Sequence, residues 1–379
     1  MRSGLSRQDI SGSIRELVEA LFRNIPSGVG SRRKDLKLSR EEEKKVFVKG
    51  AQWAIENGYG VSDDLKHIEE MGAIAGADPR VVSEKALERG RAQLGTLGSG
   101  NHFVEVGYVA EIYDERLADA LRLKEDGATV IVHTGSRGLG HQVCDDYIRV
   151  MLGASAKYGI ELPDRQLCCA PITSDEGKRY WAAMSCAANF AFANRQLITH
   201  WVRETFERVM RMGPNRLQLD LIYDVCHNIA KLEDHEVNGE RRRVCVHRKG
   251  ATRALPPGHA DVPEDYQDIG QPVLIPGDMG RCSYVLVGTD KAFTDTFGST
   301  CHGAGRVMSR HKAKRAAKGR AITRELEDRG IIVRSAGRDT IVEEISEAYK
   351  DVTEVVDVVH NAGISKKVAK LVPIGVIKG

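Results

Sequence analysis

Thr129-Val-Ile-Val-His133-Thr-Gly-Ser-Arg137-Gly-Leu-Gly-His141 is a β-branched run that ends in a histidine and breaks at once into glycines. Consecutive β-branched residues crowd a helix but pack well on a pleated surface, so Thr129 to His133 reads as a strand. The glycines let the chain turn sharply at the strand's exit, beside His133 and Arg137. Similar short runs recur at Leu217 to Tyr223, Val244 to His247, Val273 to Ile275, Tyr284 to Val287 and Ile331 to Val333. Helical patterns lie between them. Ile14, Leu17, Val18, Leu21 and Phe22 predict an amphipathic helix over residues 12–23. Ser39 and Glu42 form a capping-box pattern opening a second helix that runs to Asn57-Gly58. Ser174 to Met212, rich in alanine and closed by Gly213-Pro214, predicts one long buried helix, and Asp351 to Gly363 a further capped one. Strands and helices alternate without a βαβ rhythm, which predicts an α+β fold of irregular mixed sheets flanked by helices. No repeat or low-complexity linker divides the chain. Residues 1–90 are expected to be a helical lead-in to a catalytic domain over residues 91–379, the two forming one unit.

Composition narrows the class of partner. In 379 residues, 56 Lys and Arg nearly balance 53 Asp and Glu, so the net charge of +3 does not announce a polyanion partner and any basic surface must be local. Eight cysteines without a CxxC pair, in a chain large enough to need no disulfide staples, fit a reducing compartment. No apolar run approaches the ~20 residues of a membrane span. The charged N-terminus is not a signal peptide, so a cytoplasmic location without membrane attachment is expected.

Four histidines share one setting, each closing an apolar stretch beside Gly, Asn or Ser. They are Gly98-Ser-Gly-Asn101-His102-Phe-Val-Glu105, Val132-His133-Thr-Gly-Ser-Arg137, Val225-Cys-His227-Asn228, and Ser299-Thr-Cys-His302-Gly303-Ala304-Gly305-Arg306. A lone histidine after a strand is usually structural, but four in matching contexts suggest imidazoles gathered from separate loops, as a transition-metal site requires. The spacings match no HExxH or zinc-finger pattern. Glycine turns beside three of the four would let backbone N–H groups approach phosphate oxygens, with Arg137 or Arg306 adding a bidentate donor. Tight turns alone also explain such glycines, and neither a Walker A nor a GxGxxG order is present.

Seven of the fifteen residues from Arg306 to Arg320 are Lys or Arg, and Arg241 to Arg243, Arg248, Lys249 and Arg253 form a second basic cluster. Both could follow a phosphate backbone or simply be solvated faces. Lys124-Glu-Asp-Gly127 spells the KxDG of ATP-dependent DNA ligases, but it directly precedes the apolar run Ala128 to Val132, and a polar turn explains it.

Together these segments resemble the RtcB family of RNA ligases over essentially the whole chain. The resemblance is carried by Gln93 to Glu105, His133 to His141, Tyr223-Asp-Val-Cys-His227-Asn228 and Val246-His-Arg-Lys249-Gly-Ala-Thr-Arg253. It continues through Ile275-Pro-Gly-Asp278-Met-Gly, Ser283-Tyr284, His302 to Arg306, Tyr349-Lys-Asp-Val and Gly375-Val-Ile-Lys378-Gly379. The family joins RNA ending in a 3′-phosphate or 2′,3′-cyclic phosphate to RNA with a 5′-hydroxyl, using GTP and Mn²⁺. The resemblance implies that His302 attacks the α-phosphorus of GTP and carries GMP as a phosphoramidate. It implies metal ligands at His133 and His227 for one ion and His102 for another. Nucleotide contacts are implied at Asn101, Glu105, Asn228, Asp278, Ser283, Tyr284, Gly303, Ala304, Gly305, Tyr349 and Lys378, and phosphate or RNA contacts at Arg137, Lys249, Arg306 and Arg310. Mn²⁺ rests on the resemblance, since Zn²⁺ competes well for imidazole. An archease-type activator is a further expected partner, and oligomeric state is left open.

Two departures qualify the expectation. Asp278 stands where relatives often carry Ser or Thr, and a carboxylate there needs a cationic partner or a loop that turns it away. In the family an upstream Asp-Ile-Gly-Cys-Gly-Met segment completes both metal sites. Arg2-Ser-Gly-Leu5 lines up just beyond it, so the chain is expected to lack its N-terminal segment and, alone, to bind Mn²⁺ poorly and take up little or no GMP, with both restored when that segment is added back. The rival readings are a non-catalytic RNA-binding remnant of such a ligase and a metal-dependent phosphoesterase.

Overall fold

The computed structural model describes residues 1–33, 35–36 and 38–379. In chain order its strands are Arg2–Ser6 (β1), Phe103–Ile112 (β2), Gly127–His133 (β3), Asn228–Val237 (β4), Glu240–Lys249 (β5), Ala251–Arg253 (β6), Pro272–Ile275 (β7), Ser283–Gly288 (β8), Ser299–Cys301 (β9), Ile332–Ser335 (β10) and Ser365–Lys378 (β11). Among the described residues, seven of these form one sheet in the order β1-β3-β2-β11-β8-β7, with β10 pairing in parallel on β11. The other pairings in that sheet are antiparallel, and with flanking helices this is the α+β architecture expected.

Register is what positions the chemistry. Lys378 on β11 pairs with Phe103 on β2, and Phe103 pairs with His133 on β3, so the ends of three strands lie in one row. His102 is one residue before that row. The β4–β5 hairpin turns on Asn238 and Gly239, both at positive φ, the conformation that two-residue hairpin turns favour. This hairpin starts at Asn228, directly after His227. The short β6–β9 pair sets Ala251 opposite Cys301, which brings Gly250 beside His302.

The long helix Asp175–Met210 is the spine of the largest core cluster. Ser174 caps its first turn through Gly177 N–H, and Arg211 in a left-handed conformation ends it, as its bounding residues suggested. Phe190, Phe192, Ile198, Val202 and Phe206 are fully enclosed, each contributing about 1.5–3 kcal/mol by leaving water.

Several local expectations need correction. The helix predicted from Ser39 to Asn57 is two helices, Arg40–Lys49 and Ala51–Glu56. Gly50 breaks it at φ 54°, and a Cβ there would lie 2.0 Å from the Gly72 carbonyl oxygen, so only glycine permits this crossing. Leu217 to Tyr223 is not a strand. Pro214–Leu217 is a single helical turn, Gln218 is left-handed, and Asp220 makes only an isolated bridge to Arg2. Leu217 and Leu219 are buried without a ladder. Two strands that the apolar patterns did not announce, β2 and β11, make up the middle of the sheet. Register shifts at Lys370/Leu371 and Pro373/Gly375 interrupt the alternation of β11 that would have revealed it.

Candidate active site

His133 ends β3 and His227 immediately precedes β4, so their rings come from backbones fixed by separate ladders. Their Nε2 atoms face each other at 3.1 Å. His302, just beyond β9, stacks on His227 with ring centroids 4.4 Å apart and planes inclined by 19°. Gly250 borders that stack, since a Cβ on it would sit 3.5 Å from the His302 ring. His102 completes the group, its ring centroid 5.9 Å from that of His133. The four histidines singled out by their context therefore form one continuous cluster.

Burial makes these rings neutral. Desolvation, reinforced by the positive charges of Arg137 and Lys378, brings His102 down to about 3. Desolvation with His302 and Arg195 brings His227 down to about 4. Burial also carries His133 well below the usual imidazole range, and burial with Lys249 lowers His302. Neutral imidazole is the form that ligates metals and attacks phosphorus.

Arg137 is held against this cluster by its backbone. It adopts φ 56° at the start of the helix Arg137–Lys157, and its Nη1 reaches to 3.4 Å from His102 Nδ1. Its Nε donates to Thr96 Oγ1 at 3.2 Å. Gly98 makes room for it, because a Cβ there would fall 1.9 Å from Nη1.

Around Lys378, at the end of the same row, lies a buried charge cluster. Burial, then repulsion from Asp278, pushes the Glu105 carboxyl up to about 8, with Lys378 and the Ser283 hydroxyl opposing. Burial likewise brings Lys378 down to about 8 against the pull of Glu344 and Glu105. Tyr349 donates its hydroxyl proton to Glu344, while Arg306 Nη1 donates to Tyr349 Oη and to Glu344 Oε1, both at 3.0 Å. The Asp278 carboxylate accepts from Gly280 N–H at 2.9 Å and from the Ser346 hydroxyl. Arg281 Nε lies 3.5 Å from Asp278 Oδ2, too weakly placed to satisfy that oxygen. The Asp278 loop is thus turned toward Ser346. Glu344 and Ser346, which no motif marked, are fixed parts of this cluster.

Other expected residues fall in different places. Asn228 and Lys249 line a cavity of about 1000 Å³ together with His133, His227 and His302. Asn101 is exposed at the turn before His102, and Ala304 is buried between Gly303 and Gly305. Tyr284 does not join the cluster. It alternates with Ser283 along β8, so its hydroxyl meets Thr353 at 3.1 Å on the opposite face. Arg306 is paired with Glu344 and bonded to Tyr349, and Arg310 reaches Glu343 at 3.5 Å. In the second basic cluster Arg248 is paired with Glu233 at 2.7 Å, and Arg253 is buried against Glu69 and Glu70. Neither is a surface cation. Lys124 is exposed in the turn before β3, as a KxDG coincidence would be.

The donors suit a cation. His133 and His227 present facing, neutral Nε2 atoms, and Nδ1 of His227 and of His302 are buried without a partner among the described residues. Two neutral imidazoles leave the remaining positions of such an ion to oxygen ligands. Among the described residues, no group of three or more His, Cys, Asp or Glu side chains converges tightly enough to hold a metal unaided.

A family model described as tRNA-splicing ligase RtcB matches residues 1–379. A relative of that description from Archaeoglobus fulgidus is 58% identical over 379 residues, which is 100% of this chain and 78% of the relative. Another from Methanococcus maripaludis is 53% identical, covering 100% of this chain and 79% of its own length. A third, from Methanocaldococcus jannaschii, is 52% identical over 100% of this chain and 39% of its own length.

Proposed function

This chain belongs to the RtcB family of tRNA-splicing ligases, and from that premise we propose that it joins RNA 3′-phosphate or 2′,3′-cyclic phosphate ends to 5′-hydroxyl ends through a GMP carried on His302. The observation that supports this most strongly is the stack of His302 on His227, with its ring neutral and beside Gly250. His302 attacks the α-phosphorus of GTP. An N–P bond forms, the bond to the β-phosphate oxygen breaks, and pyrophosphate leaves. A 2′,3′-cyclic phosphate is first opened by water at the P–O2′ bond to a 3′-phosphate; GMP then passes to the RNA 3′-phosphate, giving an anhydride that the 5′-hydroxyl opens with release of GMP. A neutral imidazole suits both halves, being nucleophilic and giving a phosphoramidate labile enough to transfer.

Mn²⁺ held by His133 and His227, with His102 nearby, would neutralise phosphate charge. The chain's own residues then do the orienting. Arg137, placed by its left-handed backbone beside His102, offers a guanidinium to a phosphate. Lys249, exposed on β5 next to Gly250, does the same at His302. Glu105, Lys378, Tyr349 and Ser283 would contact the nucleotide from the buried cluster, with cytoplasmic RNA as the second substrate.

The test is ligation of two RNA pieces whose ends are varied. A 3′-phosphate with a 5′-hydroxyl should be joined with GTP and Mn²⁺, and a 3′-hydroxyl with a 5′-phosphate should not. Joining of the second pair alone would refute the proposal.

A further inference from the structure

The long helix Asp175–Met210 is enclosed on all sides through its middle, yet that stretch carries polar side chains that no apolar spine requires. Asn194 is fully buried and Arg195 nearly so. Burying an amide and a guanidinium is costly unless every polar atom finds a partner. Here the partners all lie in histidine-bearing loops.

Asn194 Oδ1 accepts from Gly95 N–H at 2.7 Å and Thr96 N–H at 3.1 Å. Its Nδ2 donates to the Thr96 carbonyl and to the Gly135 carbonyl, both at 3.1 Å. One amide thus ties the loop leading to His102 to the turn leaving His133. Thr134, between His133 and Gly135, adds a bond from its Oγ1 to the Leu97 carbonyl at 2.7 Å. Arg195 continues the tie. Its Nη1 donates to the Thr134 carbonyl at 3.3 Å, its Nε to Asp224 Oδ1 at 2.6 Å, and its Nη2 lies 3.8 Å from Cys226 Sγ. Asp224 and Cys226 are in the turn that delivers His227. That turn is also gripped from behind, where Glu69 accepts from Cys226 N–H at 2.8 Å.

Two consecutive residues therefore hold three loops whose imidazoles meet at van der Waals and hydrogen-bond distances. We propose that Asn194 and Arg195 are positioning residues that fix the mutual placement of His102, His133 and His227. This rests on the reading of those histidines as the reaction centre. A planar amide and a planar guanidinium suit the task because their donors and acceptors have fixed directions, so each loop is set relative to the others rather than merely packed. A helix held on all sides is also the part of the fold least able to yield.

The experiment compares Asn194→Ala and Arg195→Lys with Phe206→Ala, which empties apolar volume in the same helix and core without touching these loops. Amide hydrogen exchange is followed by mass spectrometry over residues 94–98, 133–136 and 223–228. Mn²⁺ affinity of the folded protein is titrated by calorimetry in parallel. Both positioning variants should exchange faster in those loops than the control at equal loss of melting temperature. They should also bind Mn²⁺ about 10-fold or more weakly, as expected when the groups that orient ligands are lost. Equal loop exchange in all three variants would overturn the proposal. If the unaltered chain takes up neither Mn²⁺ nor GMP even with the family's upstream segment added back, the functional reading fails, and the loop exchange still decides whether these two residues hold the loops.

Discussion

His133 Nε2 and His227 Nε2 lie 3.1 Å apart although the two residues are separated by 94 positions in the chain. Two neutral rings at that distance either share one proton or share one cation, and in both cases they act as a unit. Removing either should therefore cost nearly as much as removing both. His133→Ala, His227→Ala and the double variant should reduce GMP uptake to similar residual levels, measured in a single turnover. Losses that multiply in the double variant would mean that the rings act independently.

The depressed histidines also set a pH signature. Folding favours the neutral ring of His227, so its contribution to stability is whole above the ordinary 6.5. It is lost as the pH falls from there toward about 4. Urea unfolding across that window should show a steeper loss of stability for the native chain than for His227→Asn. Parallel slopes would contradict the buried, neutral assignment.

Glu105 and Lys378 are two of several opposed charges enclosed together, with 4% and 3% of their surfaces exposed. Lys378→Met would remove a buried cation whose charge favours the ionised forms of Glu344, Glu105 and Asp278, while Arg306 still holds Glu344, and should destabilise the chain by about 0.5–3 kcal/mol. Glu105→Gln in the same chain should recover part of that. Chemical denaturation of the single and double variants measures the difference, and strictly additive losses would argue that the two do not interact.

Lys312, Arg315 and Lys318 stay exposed beyond His302, while Arg306, Lys314 and Arg320 are engaged by carboxylates. Among the described residues, Lys312, Arg315 and Lys318 make no ion pair and can meet RNA phosphates. Replacing Lys312 and Arg315 with alanine should weaken binding of unrelated RNA sequences alike and flatten the slope of log K against log salt by just under about one unit per contact. GMP uptake should be unchanged. A loss confined to one RNA sequence would indicate base recognition instead.

How much of this was legible in the sequence depended on range. The four histidines could be found because each stands at a strand end beside a glycine or asparagine, a local pattern that survives without knowing the partners. The long helix was equally plain from its alanines and its closing Gly213-Pro214. What stayed hidden was set by distant contacts. Whether Arg306 or Arg248 faces solvent depends on Glu344 and Glu233, which come from other elements. The break at Gly50 depends on Gly72, and which of Ser283 and Tyr284 faces the charge cluster depends on how β8 is set against β11. Asn194 and Arg195 look like ordinary polar helix residues until the loops they hold are seen around them.

The central claim is that His302 takes up GMP. Incubation of the chain with α-labelled GTP and excess Mn²⁺, with and without the family's upstream Asp-Ile-Gly-Cys-Gly-Met segment added back, followed by peptide mass spectrometry under mildly alkaline conditions that preserve a phosphoramidate, addresses it directly. The expected result is a single GMP on the peptide containing His302, absent from His302→Ala and unaffected by Lys124→Ala. A GMP mapped to Lys124, or one that persists in His302→Ala, would contradict it.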